Sequence, residues 1–491
     1  MEPAAGSHAE ELDPKRWGIL AVIVIAQLMV VLDASIVTIA LPSAQRSLAI
    51  SVANRQWVIT AYTLAFGGFL LLGGRVADFW GRRRMFIVGL IGFAGASALG
   101  GLAVDQAMLF GARALQGAFA ALMAPAALSI LTTTFQGDPS ERAKAFGAFG
   151  AVSGAGGAVG VLGGGLLTQY ASWRWCLLVN VPIAIAAAVA ATRTVHESRA
   201  GAKTRYDVPG ALLSTLGLVS LVYGFTKAES DGWGSTPTLV FLAVAVALLI
   251  VFVLVEYAST HPLLPLRVVE DRNRAGAFLA SLLTGAGLFA MFVFLSYYFQ
   301  QVLRYSALRA GVAFLPFAVG IILAAAASTT LVPRIGARVP MTLGLLIGAV
   351  GLAWLTKIGV HTSFWTHVLP PEILMSVGLG LAFPPLSSTA LIRVRDQDSG
   401  VASALVNTTQ QIGGSLGTAL LNTLAATATA SYIAAHGRAF APAGIVHGFS
   451  VAFALGAGLL VLAAIVCAVF VTSGKREVLH GATSPVPAAG T

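Results

Sequence analysis

The sequence predicts an all-α polytopic membrane protein, from its apolar share, the length of its apolar runs and the placement of its charges. Of 491 residues 57% are hydrophobic and only 10% charged, with a mean hydropathy of +0.84, which is too apolar for a water-facing surface. That apolar share amounts to about 280 residues, or roughly fourteen crossings at roughly 20 residues each. Runs such as 19–31 and 239–255 do not alternate, which excludes a transmembrane barrel.

Apolar length, broken by polar, Pro and Gly residues, places fourteen helical segments at 17–41, 56–74, 85–104, 107–131, 144–168, 175–192, 208–226, 237–257, 275–299, 309–332, 340–357, 371–391, 400–430 and 448–472. An even count puts both termini on one side, and the basic residues say which. Of 30 Lys and Arg, 21 fall in the loops of the terminal side and eight in the opposite loops, with Arg113 alone inside a segment. The positive-inside rule then makes both termini cytoplasmic. Trp17, Trp57, Trp173, Trp175, Trp354 and Trp365 fall at or near segment ends, where amphipathic rings favour the headgroup layer. The net charge of +10 is therefore loop basicity that orients the chain in a bilayer, and no continuous basic face for nucleic acid is expected.

Cys176 and Cys467 lie within or beside apolar runs and offer no disulfide or metal framework, and the eight histidines show no ligand spacing. No metal, no organic cofactor and no enzymatic chemistry are expected. The start of the chain, through Lys15, is polar and acidic, and the apolar run after it is long and lacks a small-residue cleavage site, so no signal peptide is expected.

Between the second and third segments the chain reads Gly74-Arg75-Val76-Ala77-Asp78-Phe79-Trp80-Gly81-Arg82-Arg83-Arg84, and Pro333-Arg334-Ile335-Gly336-Ala337-Arg338 echoes it between the tenth and eleventh. The fourth segment carries Leu109-Phe110-Gly111-Ala112-Arg113-Ala114-Leu115-Gln116-Gly117, and the first carries Leu32-Asp33-Ala34-Ser35-Ile36-Val37-Thr38-Ile39-Ala40-Leu41-Pro42. In the fifth, Gly156, Gly160 and Gly164, with Gly165 following, leave a bare strip on one face; Trp173-Arg174-Trp175 through Asn180-Val181-Pro182 come next. These runs resemble the signature motifs of the major facilitator superfamily, and in particular of its fourteen-helix drug:proton antiporters. The resemblance spans about Lys15 to Lys475. It departs at Val161, where the family's antiporter motif has a proline after the second glycine.

The resemblance implies the major facilitator fold: a cytoplasmic tail at 1–16, a six-helix half with its linker at 17–207, two inserted helices and a linker at 208–273, a second six-helix half at 274–474 and a tail at 475–491. It also implies roles. Gly74, Asp78, Gly81, Arg82 and Arg83 would form a gating loop whose acid faces the N-terminus of the thirteenth segment near Ser399-Gly400, or merely a basic loop that sets topology. Arg113 would take part in proton coupling with Asp33. Asp33 lies about 13 Å, and Arg113 about 9 Å, from the same side by helix rise, near one level. Either Asp33 exchanges protons or the two form a static ion pair. As the only acid placed deep in any segment, Asp33 leads to an expectation of one proton per cycle. The glycine strip, with Gly165, would serve as an occluding seam between the halves or as tight packing.

The thirteenth segment carries Ser403, Asn407, Gln411, Ser415, Thr418 and Asn422 on one face of about 120°, which could line a wet cavity or glue helices together. The ninth offers Phe289, Phe292, Phe294, Tyr297 and Tyr298, for stacking on a lipophilic ligand or for ordinary packing. Candidate substrate contacts are Asp33, Phe292, Tyr297, Tyr298, Asn407 and Gln411. The expected function is a multi-pass, monomeric exporter in the inner (plasma) membrane that trades protons for lipophilic, including cationic, drugs or antibiotics. A lipid or single-metabolite transporter and a membrane sensor stand as alternatives.

Overall fold

The computed structural model describes residues 14–52, 54–135, 139–198, 207–259, 262, 264, 266–392, 394 and 399–472; within these helices the side chains of Arg75, Asp78, Phe289 and Ser403, among others, lie outside the described set. Residues 1–13 and the tail at 475–491 are outside it too. All regular elements among the described residues are helical.

The first half comprises α1 (Arg16–Ser47), α2 (Trp57–Trp80), α3 (Arg82–Gly101), α4 (Gln106–Thr134), α5 (Pro139–Tyr170), α6 (Trp175–Leu178) and α7 (Asn180–Thr194). An inserted pair, α8 (Val208–Asp231) and α9 (Thr236–Ala258), and a short α10 (Leu266–Glu270) follow. The second half comprises α11 (Arg272–Tyr297) with a π-turn at Tyr298–Val302, α12 (Ala307–Ala313), α13 (Leu315–Ile335), α14 (Arg338–Leu355), α15 (Phe364–His367), α16 (Leu369–Ala390), α17 (Ser399–His436) and α18 (Ala441–Phe470). Among the described residues ten helical segments are long and apolar enough to cross a membrane, and Trp57–Leu70 and Leu212–Phe225 are shorter apolar stretches.

Two of the predicted segments are broken, each at a proline. The sixth divides into α6 and α7 around Val179 because Pro182 has no N–H to offer the carbonyl one turn back. The tenth divides at Phe314, one residue before α13, whose second residue is Pro316. Elsewhere helix starts are capped by side chains that satisfy free amides: Asp105 accepts from Met108 N at 2.8 Å and Asp271 from Asn273 N at 3.0 Å. Gly81 ends α2 at φ +115° and Gly336 ends α13 at φ +82°, so the signature loop and its echo turn on a glycine in the left-handed region.

The halves repeat one packing scheme. α4 lies against α2 and α3 as α16 lies against α13 and α14, and α1 pairs with α5 as α11 pairs with α17. Both of the last pairs are tight. A side chain at Gly164 would stand 2.8 Å from the Ile36 carbonyl oxygen on α1, and one at Gly413 or Gly417 on α17 would collide with Leu282 or Ala286 on α11. The inserted α8 docks beside both α2 and α17, while α9 packs mainly on α8 and leaves most of its apolar surface outward.

The first and last described residues, Pro14 and Thr472, lie at one end of the bundle. There Lys15 donates to the Arg193 carbonyl oxygen at 3.2 Å, Arg16 pairs with Glu141 at 2.7 Å, and Thr472 N donates to Asn273 Oδ1 at 2.7 Å. At the distal end the last turns of α1 and α11 meet, with the Tyr297 hydroxyl donating to Gln45 Oε1 at 2.5 Å.

Asp33 is not the only buried acid among the described residues, although the others stand near helix ends. Glu372 in α16 and Glu256 in α9 are 0% and 2% exposed. At that end of α16, α14 packs close, with Gly351 against Pro371 and Met375. Trp173, expected in the headgroup layer, is also buried.

Candidate functional site: a sealed charge network and a closed distal seam

An aspartate in the middle of an apolar helix must find partners within the bundle, because water is not there to solvate it. Asp33 on α1 is wholly buried and accepts three hydrogen bonds. Arg113 Nη1 donates to Oδ2 at 2.6 Å, while Asn180 Nδ2 and Gln116 Nε2 donate to Oδ1 at 2.8 and 3.1 Å. Arg113 is satisfied in turn, through Val58 O at 2.9 Å and Gln116 Oε1 at 2.8 Å, and its guanidinium stands 4.4 Å over the Tyr62 ring. Gln116 reaches one step further and donates to Ser97 Oγ at 2.7 Å. Five helices of the first half, α1 to α4 and α7, thus converge on one carboxylate.

The depth arithmetic brings Asp33 and Arg113 to one level, and the structure places them in contact. Sequence reasoning assigned no role to Gln116 or Asn180, although both stand inside the quoted runs. Gln116 follows Arg113 by three residues, the spacing that puts two side chains on one helix face, and this was the available signal. Asn180 offered only an amide in an apolar run. One turn beyond Asp33 the distal side is dry: Val37, Leu41, Val58, Leu109, Cys176 and Leu177 line a small apolar cavity.

The halves join at the distal end. Arg55 Nε donates to Asn422 Oδ1 at 2.9 Å, Ser296 Oγ to Thr38 O at 2.9 Å, Gln300 Nε2 to Ile39 O at 3.0 Å and Ser415 Oγ to Thr60 O at 3.4 Å. α12 lies against α5, where a side chain at Gly165 would stand 2.9 Å from Leu308 Cα. Along the α2–α17 seam the contact continues to Gly67, whose added Cβ would stand 3.4 Å from that of Gln411, and Asn407 one turn on is exposed. The molecule is therefore closed at the distal end.

The glycine strip divides between two neighbours. Gly156, Gly160 and Gly164 face α1 of their own half, against Val31, Leu32 and Ile36, and only Gly165 meets the other half. The polar face of the thirteenth segment divides as well: Ser415 and Asn422 bind across the distal seam, while Asn407 and Gln411 lie toward the terminal end.

The candidate substrate contacts do not share one pocket. Tyr297 and Tyr298 are wholly buried, with hydroxyls committed to Gln45 and to Gly359 O, and Phe292 packs on Phe314 and Phe317 at 5.2 and 5.1 Å.

In the basic loop Gly74 lies against Pro125, and Gly81 leaves room for Glu197, which follows α7. Glu197 Oε1 accepts from Arg83 N at 3.2 Å, its other oxygen lies 3.6 Å from Arg84 Nε, and Arg82 N donates to Ser198 O at 3.0 Å. The side chain of Asp78, and that of Ser399 in the Ser399-Gly400 start it was expected to face, lie outside the described set.

Comparison with known proteins agrees with this architecture. The chain is 50% identical over 492 residues, 99% of its length and 97% of the relative's, to the puromycin resistance protein pur8 of Streptomyces alboniger. It is 40% identical over 82% of its length and 84% of the relative's to the cephamycin export protein CmcT of Amycolatopsis lactamdurans. Among solved structures it superposes on the POT family transporter PepTSo with a TM-score of 0.70 at 16% identity, covering 96% of this chain and 99% of that one. The Major Facilitator Superfamily profile matches residues 23–418, and the chain belongs to that family of multi-pass membrane transporters.

Proposed function

We propose that the chain is a fourteen-span antiporter of the plasma membrane, termini in the cytoplasm, that exports lipophilic and cationic antibiotics in exchange for protons by alternating access. The observation that carries this reading is the Asp33 network, a carboxylate and a guanidinium wholly buried beneath a closed distal seam. A structural helix contact has no need of an ionised pair, which costs desolvation that apolar packing avoids. A carboxylate that binds and releases a proton in a transport cycle does need a polar partner it can exchange, and Arg113 occupies that place in the closed state. The cytoplasmic placement of the terminal end is supported by its excess of basic residues. Asn407 and Gln411, reached from that end, then stand where a substrate enters, with the distal side sealed. The relatives named for resistance to puromycin and export of cephamycin support an antibiotic as cargo.

Everted vesicles test the reading. An imposed pH gradient, acid inside, should drive puromycin uptake through the wild-type protein, and Asp33→Asn should abolish it while leaving the protein in the membrane. Uptake that ignores the gradient in the wild type, or survives in Asp33→Asn, rejects proton exchange at this carboxylate.

A further inference from the structure

Glu372 lies in the first turn of α16, has no exposed surface, and neither of its carboxyl oxygens has a hydrogen-bond partner among the described residues. α16 holds the place in the second half that α4 holds in the first. Where α4 presents Arg113 with every group satisfied, α16 presents a carboxyl with nothing to answer it.

The surroundings explain the isolation. α13 brings Gly320 against Ser376, one turn further along α16, and α14 brings Gly351 against Pro371 and Met375. The titratable and charged groups at that end of the packed elements are engaged elsewhere or exposed. The Tyr298 hydroxyl donates to Gly359 O at 2.8 Å, Arg309 stands 4.0 Å over the Tyr305 ring, and His367 pairs with Thr366 at 2.7 Å. Lys357 and His361 follow α14, His361 exposed. Among the described residues no ion pair reaches Glu372. An unpaired carboxylate in so apolar a place costs far more than protonating it, so the carboxyl is neutral here.

We propose that Glu372 is a second proton-binding site, carried by the second half and filled while the distal end is closed. The segment that leads into its helix is tied to the seam. The Phe299 ring on the π-turn meets Phe314 at the α12–α13 break at 5.3 Å and Phe364 on α15 at 6.1 Å. α15 leads directly into the first turn of α16, where Glu372 N donates to Val368 O. The π-turn and α12 both touch the first half, through Gln300 and Gly311. Parting the halves at the distal end loosens this aromatic cluster and with it the first turn of α16, which admits water to Glu372 and releases the proton. One proton is thus linked to closure, and the closed-to-open ratio rises up to tenfold for each unit fall in pH. This site stands on the closed-seam geometry and is independent of proton exchange at Asp33.

The test uses the full chain in nanodiscs in an Asp33→Asn background, which removes the first site. Spin labels at Ser47→Cys and His361→Cys report distal separation, and infrared spectra report the carbonyl band of a buried neutral carboxyl. Closure should strengthen as pH falls, and the band should persist at mildly alkaline pH in the closed population. Glu372→Gln, a neutral mimic, should lose that band and stay closed at every pH; Glu372→Met, an apolar one, should behave alike if the amide perturbs folding. A band that survives in either variant, separation that does not depend on pH before Glu372 is changed, or pH dependence that persists after it, overturns the proposal.

Discussion

Arg55 Nε donates to Asn422 Oδ1 at 2.9 Å, and the same guanidinium stands 4.2 Å over the ring of Tyr297, so one buried cation binds two helices of the opposite half. Asn422→Ala leaves that cation short of an acceptor in the closed state only, a penalty of about 1–3 kcal/mol. The closed population should fall roughly tenfold for each 1.4 kcal/mol. A cysteine replacing Thr38, 7% exposed behind the seam, should then react faster with an impermeant thiol reagent from the distal side. Unchanged labelling in Asn422→Ala would show that this bond does not hold the seam.

Three glycines of α5 separate packing within a half from closure between halves. Gly157→Ala meets nothing within 4 Å and should be neutral. Gly160→Ala puts a Cβ 2.8 Å from Leu32 O and should destabilise the first half by about 1–3 kcal/mol, read as a lower melting temperature. Gly165→Ala puts one 2.9 Å from Leu308 Cα across the seam, so the fold should survive while distal labelling rises. A lowered melting temperature in Gly165→Ala with no gain in labelling would reverse this assignment.

The contact between Asp33 and Arg113 was legible because a charge in an apolar segment has few ways to be stable, and helix rise alone set the two at one depth. The amides that complete the network were not, since an Asn or Gln in a span has many helix faces to bind and spacing does not select one. The same holds for the glycine strip. Four-residue spacing shows that a face is bare but not which helix lies on it, and Gly156, Gly160 and Gly164 meet α1 rather than the second half. Glu372 was missed for a different reason. Segment ends are assigned from hydropathy, and the burial of the first turn of α16 comes from tertiary packing, such as Gly351 of α14 against Pro371, that hydropathy does not place.

The basic loop should depend on two residues at its turn. Gly81→Ala forces a side chain into φ +115° and against the Glu197 carboxylate, at a cost on the order of 1–2 kcal/mol or more. Glu197→Gln keeps the acceptor for Arg83 N but loses the charge beside a mostly exposed Arg84, so its effect should stay below about 0.5 kcal/mol. Protease cleavage after Arg82 or Arg83 should therefore accelerate strongly in Gly81→Ala and little in Glu197→Gln. Equal sensitivity would place the constraint in the charge and not in the turn.

Asn180 donates its amide N–H to Asp33 Oδ1 at 2.8 Å, yet its own Oδ1 has no partner. The ionised carboxylate fixes that orientation, because the amide oxygen cannot face a negative charge. If Asp33 cycles a proton, the protonated form gains an O–H that needs an acceptor. Gln116 Oε1 is already taken by Arg113, which leaves the Asn180 oxygen, brought round by a flip of the amide. Asn180→Leu removes a charge-assisted bond of about 1.5–3 kcal/mol and also an unpaired buried carbonyl costing about 1–3 kcal/mol, so stability should change little. Transport should not be spared. If the chain exchanges puromycin for protons as proposed, accumulation in proteoliposomes driven by a pH gradient should fall about tenfold in Asn180→Leu, while downhill exchange without a gradient continues, since only the step that binds the proton has lost its partner. Asn180→His, whose ring can donate or accept, should recover part of the coupling. Equal loss of coupled and uncoupled transport in Asn180→Leu would reduce Asn180 to a packing residue between α7 and α1.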